Sequence, residues 1–209
     1  MELHHIFADP VYISKLERNL TKGELHSIHK FKKQTLLLRS TSKYQKGSHL
    51  TSKNHYVLES KELKNLKKNL NKIILDYFNK VICPSNSITP YITQSWLNWT
   101  ESNQFLHNHA HQNSLVSGVF YVAADKKVDA IKFIKDDYNT IMLEYKKFNL
   151  FNSSTWSFPV ETGNVFLFPS HLIHGVIPKK GTNSRISLAF NVFIKGHIGS
   201  DEKIRRLKL

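Results

Sequence analysis

Three imidazoles, His107, His109 and His111, stand at every second position of one short stretch, and His171 and His174 follow further along the chain. Neutral imidazole is the commonest metal-binding side chain. The run Ser114 to Val122 that comes next is rich in β-branched and aromatic residues and reads as a buried strand. If the histidine stretch is also extended, a period of two puts His107, His109 and His111 on one face. Two such neighbours can occupy adjacent corners of one coordination sphere. A further ligand must come from elsewhere, and the stretch Gly163 to Pro178, with His171 and His174, offers it.

The third chemical stretch is Arg185 to Asn191. Alternation puts Arg185, Ser187, Ala189 and Asn191 on one face and Ile186, Leu188, Phe190 and Val192 on the other. The apolar face is suited to pack under a helix or second sheet, which leaves the polar face lining an interior with the histidines. A buried guanidinium is unfavourable unless an anion meets it. No carboxylate of the chain is an evident mate. A ligand carboxylate therefore suits Arg185, whose planar fork binds such a group through two hydrogen bonds, and the Ser187 hydroxyl can add another.

The elements that must position these residues are legible in outline. Residues 1–89 hold an edge strand within Ile6 to Ile13 and two supporting helices. Thr21-Lys22-Gly23-Glu24 has the form of a capping box, and Leu25, Ile28 and Phe31 follow at helical spacing, which predicts about three turns. Residues 39–56 are polar and aperiodic and predict a long surface loop. Ser60 is placed to cap a second helix whose apolar stripe runs from Leu63 to Val81, with Pro84 at its end. Residues 90–195 change to short strands: Ile92 to Asn98, the histidine strand, Val128 to Ile134, Ile141 to Tyr145, Trp156 to Val160, Val165 to Phe168 and Arg185 to Ile194. Short strands with turn signals between them predict a sandwich or barrel. Residues 196–209 read as a basic tail or short terminal helix.

Length and composition set bounds. The 209 residues are most simply one domain with a real core, and 40% hydrophobic with 22% charged residues is ordinary for a globular protein. No apolar run of membrane-spanning length and no signal-peptide pattern is present, and the single Cys83 fits a reducing compartment. The expectation is a cytoplasmic protein without a membrane partner. The net charge of +14 raises nucleic acid as a partner. The lysines are scattered and arginines, which dominate base readout, are few, so nucleic acid is not the favoured partner.

Taken in order, His-x-His, Ser-Gly-Val-Phe-Tyr-Val, Gly-x-x-x-Leu-Phe-Pro-Ser-x-x-x-His-x-Val-x-Pro and Arg-Ile-Ser-x-x-Phe-Asn resemble the 2-oxoglutarate/Fe(II)-dependent dioxygenases over roughly residues 94–194. The resemblance is greatest to a stand-alone branch in bacteria and bacteriophages, distantly related to prolyl hydroxylases. It implies a mainly β fold with supporting helices, a double-stranded β-helix or jelly roll, over residues 90–195. It further implies Fe(II), 2-oxoglutarate as cosubstrate and dioxygen, with decarboxylation to succinate coupled to hydroxylation of a small-molecule or peptidyl substrate. By position, His109, His111 and His174 match the metal ligands. Arg185, eleven residues after His174, Ser187 and Tyr121 match the residues that hold the far carboxylate of 2-oxoglutarate, and His107 and Asn191 stand just outside the ligand set. The family's usual middle ligand is Asp or Glu, so His111 is a departure that makes the site one negative charge poorer. The competing expectations are a three-histidine cupin-type dioxygenase that works without 2-oxoglutarate, which leaves Arg185 and Ser187 unexplained, and a jelly-roll binding module without catalysis. The other histidines, His4, His5, His26, His29, His49, His55 and His197, read as surface residues.

Overall fold

A computed structural model describes residues 2, 4, 8–39, 49–85, 87–136, 141 and 143–209 of the chain. In chain order its elements are β1 (Tyr12–Lys15), α1 (Lys22–Arg39), β2 (Leu50–Thr51), α2 (Lys64–Tyr77), β3 (Ile88–Thr100), β4 (Leu106–His109), β5 (Val116–Ala123), β6 (Ala130–Ile134), β7 (Thr155–Pro159), β8 (Asn164–Pro169), β9 (Ile173–Val176), β10 (Arg185–Ile198) and β11 (Leu207–Lys208).

The capping box forms as the sequence predicts. The Glu24 N–H donates to Thr21 Oγ1 at 3.2 Å, and the Thr21 N–H donates to the Glu24 carboxylate at 2.8 Å. Helix α1 spans 18 residues, longer than the expected three turns, because the Lys-, Gln- and Leu-rich run after Phe31 has high helix propensity and holds no Gly or Pro. Ser60 does not cap α2. Its hydroxyl donates back to the Val57 carbonyl at 2.8 Å, and the chain enters α2 through two 3-10 turns, Val57–Glu59 and Lys61–Leu63. Helix α2 buries Leu66, Leu70, Ile74 and Tyr77 and passes into a π-turn, Phe78–Ile82. That turn stops at Cys83, whose φ of 47° is left-handed, one residue before Pro84.

Two antiparallel sheets form the jelly roll. The larger has the order β1-β8-β5-β10-β3-β2, with β11 added to the end of β10, and the smaller has the order β4-β9-β6-β7. Alternation along the larger sheet separates two cores. Leu97 and Trp99 of β3, Phe120 of β5, Leu167 of β8 and Leu188, Phe190 and Val192 of β10 face the helices and pack with Ile28, Leu66, Leu70 and Ile74. Val119, Tyr121, Phe166 and Phe168 face inward and pack with Ile131 and Phe133 of the smaller sheet. Gly118 is required by this packing, since a Cβ there would lie 2.1 Å from the Phe190 ring.

Four expectations need correction or completion. The segment around Ile141 to Tyr145 is not a strand where it is described, and Ile141 and Leu143 are exposed. The later part of the expected 39–56 loop is tied to the sheet instead: Leu50 pairs with Trp99 and Thr51 with Asn98, a two-residue strand too short for a periodic signal. Residues 40–48 of that loop, and Ile6-Phe7 of the first expected strand, lie outside the described residues. The C-terminal segment forms no helix. It turns back at Gly199 (φ 74°), and Leu207 and Lys208 pair with Ile198 and His197. Among the described residues no helix is long and apolar enough to cross a membrane.

Candidate metal and cosubstrate site

Strands β4 and β9 pair antiparallel, so that His109 lies directly across the ladder from His174. The register slips between Leu106 and His109: three steps along β4 are matched by two along β9. The slip does not part the rings: those of His107 and His109 lie 5.2 Å apart and those of His109 and His111 5.1 Å apart. His107 is exposed, and it supports its neighbour by accepting the His109 Nδ1–H on its carbonyl at 2.9 Å. His111 lies beyond the strand and is placed by its backbone N–H, which donates to the Ser170 carbonyl at 2.9 Å. Ligand atoms of His109, His111 and His174 lie within 4.8 Å of one another. His171 stays out of this cluster, exposed beside Asp9.

The hydrogen bonds around the three rings fix which nitrogens are bare. His109 Nδ1 donates to His107 and His174 Nδ1 donates to the Leu172 carbonyl at 3.0 Å. His111 Nδ1 donates to Asn191 Oδ1 at 2.6 Å and also meets Ser117 Oγ at 2.9 Å. All three Nε2 atoms are thereby left as acceptors. The Nε2 atoms of His109 and His111 are nonetheless 3.2 Å apart, a repulsive contact between lone pairs unless a cation lies between them. Two ligands each about 2.1 Å from one ion and at right angles stand about 3 Å apart, so the donor set fits a metal ion. Burial lowers the pKa of all three histidines, and for His174 it does so to about 3. The rings are therefore neutral near pH 7, the form that binds metal.

Beside this cluster runs a cleft of about 550 Å³, open mouth included. Arg185, Ser187 and Tyr121 line it together, as the alternation of β10 requires. Arg185 is buried. Its Nη atoms donate to the Ala130 carbonyl at 3.3 Å and to Thr100 Oγ1 at 3.2 Å, while Nε has no partner. Among the described residues no carboxylate forms an ion pair with it. The nearby Asp129 is taken up instead by Lys179, at 3.6 Å, and by Asn183. An unpaired guanidinium with an orphan N–H fits a ligand carboxylate. Burial pushes the Tyr121 phenol up to about 12, so it stays an O–H donor at neutral pH.

Several lining or supporting residues carry no local sequence signal. His49, expected at the surface, is half-buried in the cleft wall, where its ring meets Thr51 Oγ1 at 2.9 Å. Trp96, Asn98 and Thr100 of β3 line the same wall. Their alternation was legible, but not which face of β3 turns inward, because a bulge at Thr93 resets the parity of the strand against β10. Ser117 and Ser170 are buried and joined at 2.9 Å behind His111. Each lies within a motif quoted for the family resemblance, but only the fold brings the two together.

Residues 94–191 match a family model described as "Putative 2OG-Fe(II) oxygenase". No match was found among curated proteins. Solved structures share the fold at low identity. The carbocyclase SnoK from nogalamycin biosynthesis, described as non-heme and alpha-ketoglutarate dependent, is 11% identical with a TM-score of 0.59, over 90% of this chain and 81% of that one. HygX from Streptomyces hygroscopicus, solved with nickel and 2-oxoglutarate, is 12% identical with a TM-score of 0.56, over 88% and 82%. The collagen prolyl hydroxylase of Paramecium Bursaria Chlorella virus-1, in a 2-oxoglutarate complex, is 10% identical with a TM-score of 0.53, over 87% and 94%.

Proposed function

We propose that this chain, whose core is that of a 2-oxoglutarate/Fe(II)-dependent oxygenase, hydroxylates a C–H bond of a small-molecule or peptidyl substrate. The observation that carries the reading is the pairing, in one cleft, of three converging bare imidazoles with a buried Arg185 that lacks a carboxylate. A metal site without the guanidinium would suit many chemistries. A metal site beside an unpaired guanidinium suits a chelating dicarboxylate.

His109, His111 and His174 would hold the ion, each through Nε2. Arg185 would take the far carboxylate of 2-oxoglutarate, with Ser187 and Tyr121 adding hydroxyl donors. When bound, iron(II) and 2-oxoglutarate supply the oxidising power: dioxygen and 2-oxoglutarate become succinate, carbon dioxide and the oxygen atom inserted into substrate. The protein's part is to keep the three rings neutral and in the right tautomer. His107, Leu172 and Asn191 do this by accepting the three Nδ1–H groups. The inward apolar residues Val119, Phe166 and Phe168 keep water from the inner wall, which strengthens the Arg185–carboxylate pair.

Uncoupled turnover tests the proposal. Protein purified without oxygen and loaded with Fe(II) and 2-oxoglutarate should release succinate on exposure to air. Absence of succinate, with metal and 2-oxoglutarate both bound, would sink it.

A further inference from the structure

We infer that the substrate of this cleft carries an anionic group, a carboxylate or a phosphate, which it places beside 2-oxoglutarate. The inference rests on the oxygenase reading above and deepens it. Of the titratable residues that line the cleft, His49, His109, His111, His174, Tyr121 and Arg185, none carries a negative charge near neutral pH, and no Asp or Glu is among the lining residues. A divalent ion and Arg185 bring three positive charges and 2-oxoglutarate brings two negative ones, so one positive charge is left over. A carboxylate in the place of His111 would have brought the sum to zero.

Among the described residues nothing nearby supplies the missing charge: Glu101, next to Thr100, is paired with Lys32 at 3.3 Å. Asp129 is the buried carboxylate closest in sequence to the Arg185 contacts, and its charge is matched by Lys179, itself buried. The free hydrogen-bonding capacity of the wall also favours an acceptor-rich ligand. Thr51 already donates to Asn98 Oδ1 at 2.9 Å, and Arg185 to Thr100 Oγ1, which leaves N–H and O–H groups for a ligand. A net charge of +14 on the whole chain adds a long-range attraction of the same sign. A buried excess charge is unfavourable unless a counter-charge joins it, and a substrate anion would do so only in the assembled complex.

The test uses the full chain loaded with Zn(II), which has no redox chemistry, and saturated with 2-oxoglutarate. Acetate and acetamide, nearly equal in shape and differing by one charge, are titrated in while the Trp96 indole N–H is followed by NMR. That probe sits in the cleft wall and ignores anions on surface lysines. Acetate should act at a concentration at least about tenfold lower than acetamide. Inorganic phosphate in a parallel titration tells which anion is the better fit. His111→Asp should bring acetate and acetamide within about twofold. Asn98→Asp, which keeps the acceptor for Thr51 and puts the negative charge in the cleft wall outside the three metal-holding histidines, should do the same if the first variant folds poorly. Equal responses in the unaltered chain would overturn the inference, as would a preference that survives both variants or acetate binding that releases 2-oxoglutarate. Failure of Zn(II) or 2-oxoglutarate to bind before any probe is added would instead overturn the oxygenase reading, and this inference with it.

Discussion

At the scale of single residues, the bare Nε2 atoms make separable predictions. Alanine at His109, His111 or His174 should each lower metal affinity by at least about an order of magnitude, since each removes a direct bond to the ion. Alanine at His107 should lower it no more than about tenfold, because its support for His109 runs through the backbone carbonyl and ring contact. His171→Ala should leave it unchanged. Metal content and affinity across the five variants, with circular dichroism as a folding control, decide the matter; a larger loss at His107 than at His111 would mean the ligand set is wrong. Arg185→Ala is expected to act on the other half of the site. Loss of a charge-assisted pair should weaken 2-oxoglutarate binding by about 2–4 kcal/mol, or thirty- to several-hundred-fold, and leave metal binding nearly intact. Calorimetry on the metal-loaded variant reads both.

At the scale of elements, helix α1 is anchored at its first turn by a buried carboxylate. Burial of Glu24 acts to raise its pKa, but the Arg18 guanidinium, at 2.6 and 2.8 Å, and the Thr21 N–H outweigh it and hold the group below the ordinary carboxylate value. A depressed folded pKa means stability that is present above the unfolded value, about 4.3, and lost as pH falls through the folded one. Glu24→Gln should therefore destabilise the protein at pH 7, by about 1–3 kcal/mol, and by progressively less below pH of about 4. Urea midpoints at several pH values test this, and a penalty independent of pH would contradict it. The capping box itself was legible because its two partners are three residues apart. The same holds for the inward face of β10, where alternation alone sorts Arg185 and Ser187 from Leu188 and Phe190. The bulges in β4 and β3 were not legible, since a bulge is decided by what the neighbouring strand offers. That is why the inward turn of Trp96 and Asn98 could not be chosen.

At the scale of the whole molecule, the site is assembled from segments far apart in the chain, and legibility fell with that distance. The serine pair behind His111 and the place of His49 in the cleft wall both depend on closure of the jelly roll, which no local spacing encodes. One strand bears most of that closure: β10 pairs with β5 on one side and β3 on the other, holds the helix-facing core with Leu188, Phe190 and Val192, and lines the cleft with Arg185, Ser187 and Ala189. The molecule should consequently respond very unevenly to losing a single amino acid. A one-residue deletion between Ile186 and Phe190 shifts Arg185 to the opposite parity from the residues beyond the gap. It should yield either insoluble protein or a fold that no longer binds 2-oxoglutarate. The same deletion among residues 146–153, between β6 and β7, should leave both solubility and binding close to normal. A deletion scan read by soluble yield and 2-oxoglutarate affinity would thus draw a map in which two-sided strands stand out from connections, and a tolerated gap inside β10 would show that its two faces are not coupled.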